Sequence, residues 1–195
     1  RLAGKAPRRR RPVNSALGAT IHRASMASHP ERTNYFLGQL LGVEDLTREQ
    51  SYLIARLRRH NRFAHGWGVA SGLHVAVAGE TLHVDPGLAI DCEGNELELL
   101  ERVSLDLSHL QSPTYLGLLF TETPVSPTPS KSGIRFAATR EEAKVVLESS
   151  NSSSGHSGKG PGTPGCGQRH PITLARLSKH HGAWRVRLAN YRSGA

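Results

Sequence analysis

The chain has 195 residues, enough for one domain with a real core, and no run approaches the roughly 20 apolar residues that span a bilayer, so a soluble protein is expected. Its formal charge is +9, yet seven of the 25 basic residues and none of the 16 acidic ones lie in residues 1–25; the rest carries 18 against 16, a net of +2, which excludes a basic nucleic-acid-binding body. Two distant cysteines, Cys92 and Cys166, are too few for a disulfide scaffold or an all-thiolate zinc site, and point to free thiols in a reducing compartment.

Residues 1–32 read as a basic disordered tail. Residues 1–25 carry "RRRR" at 8–11 and lack the apolar stretch of about 7–15 residues that a secretory signal needs. The single methionine, Met26, suggests a start there, with the preceding residues an upstream read-through or dispensable tail. An electrostatic arm for nucleic acid or an organelle-targeting segment are the alternatives. Residues 33–195 are expected to form a single α+β domain.

Residues 44–63 give the clearest helix, with Leu46, Leu53, Leu57 and Ala64 on one stripe expected to pack on a sheet. Glu44 and Asp45 suit the helix N-terminus, Glu44 is placed to pair with Arg48, and Gly42 is a weak cap. Gly66 and Gly68 then end the helix at a corner that packs Trp67 inside.

Beyond the corner the period falls from 3.6 to 2. Strands are predicted at 73–77, 81–85, 88–91, 96–100 and 103–107, separated by turn compositions such as "AGE", "PG" and "CEGN". "YLGLLF" (115–120) reads as a central strand, and "TPVSPTP" (123–129) as a rigid loop, because proline donates no ladder hydrogen bond. Residues 134–148 combine a capping-box pattern with alternation and are assigned to a strand. Residues 149–168 are Ser/Gly-rich and predict a flexible loop; "ITLARL" and "AWRVRL" around "SKHHG" predict a hairpin. The fold class is α+β, mainly β: one N-terminal amphipathic helix packed on a small, mostly antiparallel meander, sandwich or partly open barrel.

The candidates for chemistry are sparse. His60 and His65, five apart, sit about 140° apart on a continuing α-helix and do not share a face. His74 and His83 are placed as cross-strand neighbours on a wet face, with no ligand-spaced acid or cysteine beside them. Cys166 and His170 form a Cys-x3-His pair that needs two more ligands for tetrahedral zinc, from among His156, His180 and His181. "GWGVASG" has the wrong element order for a phosphate loop, and Asp85, Asp91, Glu93 and Glu96 read as a solvated edge. Nucleophile–base motifs are missing, so no enzyme, metal or cofactor is expected.

The stretch "NYFLGQLLGVEDLTREQSYLIARLRRHNRFAHGWGVASGLHVAV", followed by "VDPGLAIDCEGNELEL", "YLGLLFTETPVSP" and "ITLARL", resembles a group of small bacterial proteins associated with phage-tail-like contractile injection systems and related tail or baseplate genes. The resemblance runs over residues 33–188, and its landmarks are the aromatic-Gly-Leu-Leu lead-in, the Glu-Asp helix start, the His-Gly-x-Gly-Val corner and the Pro-Gly-x-Ala-x-Asp turn. It departs at Gly42, where Thr is expected, and in the basic head. The resemblance implies an accessory structural role and carries over no catalytic residue. On this reading the protein is a non-enzymatic structural or adaptor component, cytoplasmic within an assembled particle. Its partners are other subunits of a tail-like assembly, and nucleic acid enters only through the basic tail. Tyr35, Phe36, Leu37, Leu40 and Leu41 are the candidate protein-contact residues. For Tyr35 and Phe36 the competing expectation is a staple packed on the helix stripe or the sheet. A small β-rich ligand- or glycan-binding module is the alternative function, and an unrecognised hydrolase a third.

Overall fold

The computed structural model describes residues 29–152 and 166–189, so the expectations for the basic head and for most of the Ser/Gly-rich segment lie outside the described residues. Contacts divide the chain into Arg1–Glu31 and Arg32–Ala195, and the fold that follows is that of the second unit. It begins with α1 (Val43–His60), which runs into a π-helical turn (Asn61–His65). The strands are β1 (Gly68–Gly72), β2 (Val75–Ala78), β3 (Thr81–Val84), β4 (Gly87–Ile90), β5 (Glu96–Leu99), β6 (Val103–Asp106), β7 (Thr114–Ser130), β8 (Gly133–Glu148), β9 (Ile172–His180) and β10 (Ala183–Leu188). This is the α+β, mainly β class that the change of period announces.

The strands form three antiparallel sheets, ordered β1-β4-β5, β2-β3-β6 and β10-β9-β7-β8. Alternation decides what each contributes to the core. Leu82 and Val84 of β3, and Leu97 and Leu99 of β5, point inward while their neighbours stay wetter. Leu116, Leu118 and Phe120 of β7 and Ile172, Leu174 and Leu177 of β9 complete the core together with Trp67, Val69, Leu73 and Trp184. The buried Trp67 confirms the tight corner after the helix, although "GVASG" continues it as β1, a strand that sequence alternation does not reveal. The Trp184 indole donates to Glu80 at 2.9 Å and Lys179 reaches the same carboxylate at 2.9 Å, tying the β2–β3 turn to the β9–β10 hairpin. Those two partners hold the Glu80 carboxyl below its ordinary range.

Four expectations are corrected. The proline-rich 123–129 is the outer half of β7, paired with β8 through Pro124–Thr139, Pro127–Phe136 and Pro129–Ile134. β9 pairs only with Thr114–Leu118, so beyond that point β7 and β8 form a two-stranded ribbon, and proline is tolerated where a strand has an open edge. The pairing partner of Arg48 is Asp45, at 3.5 Å, rather than Glu44. Asp91 is no solvated edge: it is buried, and its carboxylate accepts hydrogen bonds from the backbone of Glu93 and Asn95. Finally, the helix is amphipathic but buries none of its residues, with Leu46, Leu53 and Leu57 each about half exposed.

What attaches α1 is polar and sits at its C-terminal end. Arg58 pairs with Glu122 at 3.4 Å and lies over the Phe120 ring. The Asn61 amide, itself 3% exposed, donates to the Gly94 carbonyl at 3.0 Å and to Glu96 at 3.1 Å. Arg62 donates to the Glu93 carbonyl at 3.2 Å. At the N-terminal end the Asp45 carboxylate accepts from the Gly42 amide at 3.0 Å, half of a capping box, which offsets the missing side-chain cap.

At Gly94 the β4–β5 turn lies directly against the helix backbone. Its φ is +87°, and a Cβ there would lie 2.2 Å from the Arg58 carbonyl oxygen. Gly94→Ala is therefore expected to cost about 3 kcal/mol or more, read as a lowered urea midpoint. Gly133→Ala, at φ +107° with open space around it, is expected to cost only the backbone strain, about 1 kcal/mol, and a Gly94 variant no worse than this control would refute the close docking.

Candidate functional site

The segment ahead of α1 is held by three hydrogen bonds that leave its apolar side chains outward. The Thr33 hydroxyl donates to the Asp45 carbonyl at 2.9 Å, the Phe36 amide donates to the Gln39 side chain at 3.3 Å, and the Gln39 amide donates back to the Phe36 carbonyl at 3.1 Å. Gly38, with φ +86°, completes this turn. All five candidate contact residues stay exposed: Tyr35 and Leu41 about half, Phe36 at 66%, Leu40 at 93% and Leu37 fully. The staple expectation for Tyr35 and Phe36 is thus overturned, because the turn at 36–39 presents them to solvent instead of folding them onto the helix.

The apolar surface continues beyond these residues. Val43, Leu46, Leu53, Ile54 and Leu57 extend it along α1. Leu53 and Ile54 line an open groove of about 530 Å3 whose far wall is Phe136–Thr139 of the β8 arm. Monomeric proteins rarely leave so many large apolar side chains uncovered in one run, and such patches mark contact sites.

The predicted histidine pairs resolve differently. His60 and His65 are in edge contact, with ring centroids 5.0 Å apart. The π turn explains why: its i→i+5 bonding widens each turn, so residues five apart meet on one face, which α-helical spacing forbids. His83 faces Ala76 in the ladder and hydrogen-bonds Ser104 at 2.9 Å, while His74 lies outside β2, so the two are not cross-strand partners. His180 and His181 meet edge to face at the β9–β10 turn and belong to no cluster of ligand groups among the described residues, and His156 lies outside the described residues.

Cys166 and His170 do find a partner, one that sequence spacing misses. Cys92, 74 residues upstream of Cys166, places its Sγ 3.4 Å from the Cys166 Sγ and 3.3 Å from the His170 Nε2. β4 delivers Cys92 to the start of the Asp91–Asn95 turn, and the backbone amide of Gly167 donates to the Glu93 carboxylate at 2.6 Å, pinning the returning chain to that turn. The His170 Nδ1 lies 3.0 Å from the Pro171 carbonyl, which can only accept, so Nδ1 carries the proton and Nε2 presents its lone pair to the sulfurs. The Gln168 amide donates to the Cys166 Sγ at 3.3 Å. Burial pushes the Cys92 thiol up to about 12.

No family model and no curated protein matches the sequence. Among solved structures, similarity is found to the type VI secretion system baseplate complex, at 11% identity and TM-score 0.45, over 82% of this chain and 58% of that one. A crystal structure of TssK is similar at 12% identity and TM-score 0.42, over 82% and 41%. The TssK–TssF–TssG baseplate subcomplex is similar at 12% identity and TM-score 0.46, over 82% and 60%. This chain thus spans three-fifths or less of the length of each of these chains.

Because Tyr35 and Phe36 are outside the core, changing both to Ala is expected to move stability by no more than about 0.5 kcal/mol in urea denaturation. A loss approaching the roughly 3–5 kcal/mol of a buried Phe→Ala change would restore the staple reading.

Proposed function

We propose that the protein is a non-enzymatic structural or adaptor subunit of a phage-tail-like particle in the cytoplasm, joined to neighbouring subunits through residues 35–43 and the exposed apolar stripe of α1. The observation that carries this reading is the run of uncovered apolar side chains, Tyr35, Phe36, Leu37, Leu40, Leu41 and Val43, held outward by a hydrogen-bonded turn. Leaving them in water forgoes about 1.5–3 kcal/mol for each large side chain that a partner would otherwise cover. The kind of particle comes from the resemblance of residues 33–188 to tail- and baseplate-associated proteins. A docking partner with an apolar groove fits the chemistry, since aromatic and aliphatic anchors dominate interface cores.

The test is co-expression of the full chain with the sheath, tube and baseplate proteins encoded nearest its gene, followed by affinity purification and size-exclusion chromatography. Stoichiometric co-elution with a tail-type subunit is expected, and the double variant Leu37→Glu, Leu40→Glu is expected to abolish it while leaving the circular dichroism spectrum and melting temperature unchanged. A chain that stays monomeric beside all of these proteins and binds oligosaccharides on an array would replace this reading with the glycan-binding module.

A further inference from the structure

We propose that Cys92, Cys166 and His170 form a zinc site that clamps the chain just before β9 onto the Asp91–Asn95 turn. Their ligand atoms, two sulfurs and one imidazole nitrogen, all lie within 4.8 Å of one another, the only such group of three among the described residues. Tetrahedral zinc, with bonds of about 2.3 Å to sulfur and 2.0–2.1 Å to nitrogen, sets sulfur–sulfur and sulfur–nitrogen separations of roughly 3.8 and 3.5 Å. The two separations from the Cys92 sulfur, 3.4 Å to the Cys166 Sγ and 3.3 Å to the His170 Nε2, come within a few tenths of an ångström of those values, and the third is within 4.8 Å.

The surroundings are those of a ligand set. The His170 Nδ1 lies against the Pro171 carbonyl, which holds its proton there and turns Nε2 toward Cys92, the arrangement by which backbone carbonyls orient ligating histidines. The Cys166 thiol donates to the Gln168 carbonyl at 3.2 Å and accepts from the Gln168 backbone N–H at 3.3 Å; of the two, the N–H contact is the one a bound thiolate keeps. Two thiolates and an imidazole suit zinc better than calcium or magnesium, which take oxygen ligands. On binding, the metal replaces the two thiol protons, which pass to solvent, and the fourth position is left for water or an outside donor. Cys92 is buried, His170 half-buried and Cys166 exposed, so the site opens to solvent on the Cys166 side.

This inference stands apart from the assembly reading, since the site would bind metal whether or not the protein joins a particle. The full chain, purified under reducing conditions, is expected to carry about one zinc per chain by elemental analysis. After removal of zinc, Co2+ titration is expected to give the intense visible bands of a tetrahedral site and thiolate-to-cobalt charge transfer. Cys166→Ser and His170→Ala, whose side chains are outside the core, are expected to weaken binding by roughly 100-fold or more, while the circular dichroism spectrum of the metal-free chain is unchanged. His180→Ala is expected to bind as the parent does. Added zinc should raise the melting temperature of the parent and not of Cys166→Ser. A reduced chain that binds neither metal, a cobalt spectrum indifferent to Cys166→Ser, or a Cys92–Cys166 disulfide found by mass under the same conditions would each overturn the proposal.

Discussion

The Asp91–Asn95 turn is the constraint on which the placement of the helix rests. One carboxylate builds it: Asp91 accepts from the Glu93 and Asn95 amides at 2.9 and 2.8 Å and from the Asn95 side chain at 2.7 Å. A buried acid in this position is satisfied by fixed backbone donors and has no need of a cation. The closed turn in turn offers its own carbonyls outward, those of Glu93 and Gly94, and the end of α1 is built to take them, with Arg62 on the first and Asn61 on the second. The π-helical turn belongs to the same fit. It widens the helix where Asn61 must reach the Gly94 carbonyl, and it costs backbone regularity that the buried amide contact offsets.

This way of docking explains how a helix with an apolar stripe can sit on a β-domain without burying the stripe. The attachment is a cluster of directed polar contacts at one end: Arg58 to Glu122, Asn61 to Gly94 and Glu96, Arg62 to Glu93. Half-exposed ion pairs contribute little on their own, so the buried Asn61 and the close approach at Gly94 carry most of the fixation. The rest of α1 projects beside the β7–β8 arm, with Leu53 and Ile54 across a groove from Phe136. Directional hydrogen bonds set an orientation where apolar contact would set only proximity, and they leave the apolar side chains uncommitted.

Much of the fold was legible because period and turn chemistry agree over short spans. Leu82 and Val84, or Leu97 and Leu99, alternate with polar neighbours, and "CEGN" falls at a turn, as do His181 and Gly182 of "SKHHG", whose first three residues extend β9. The failures share a cause: each depends on what lies across space. Prolines at 124, 127 and 129 argue against a central strand but not against a strand with one open edge, and sequence does not say that the pairing of β9 along β7 ends at Leu118. His60 and His65 are separated by α-helical arithmetic that the π turn suspends. The stripe of α1 was visible as a stripe, but amphipathicity specifies a face to be covered and not what covers it. For the contact residues, "NYFLG" signals an aromatic lead-in; only the hydrogen bonds of Thr33, Phe36 and Gln39 decide that it faces solvent.

The thiol–imidazole cluster shows the same limit from the opposite side. A Cys-x3-His pair was readable, but its third member arrives from β4, and nothing local to Cys92 distinguishes a buried free thiol from a ligand. What distinguishes it is convergence. The turn that receives the end of α1 through the Glu93 and Gly94 carbonyls also receives Gly167 through the Glu93 carboxylate, so two adjacent residues of a single five-residue loop serve both a helix and the segment that carries the thiol. A metal bound there would restrain the loop beside its helix contacts, since the Glu93 carboxylate serves both Arg62 and the Gly167 amide. Held by both neighbours, the loop loses the freedom to shift, and the orientation of α1 together with the apolar surface leading into it is fixed more tightly than either contact achieves alone.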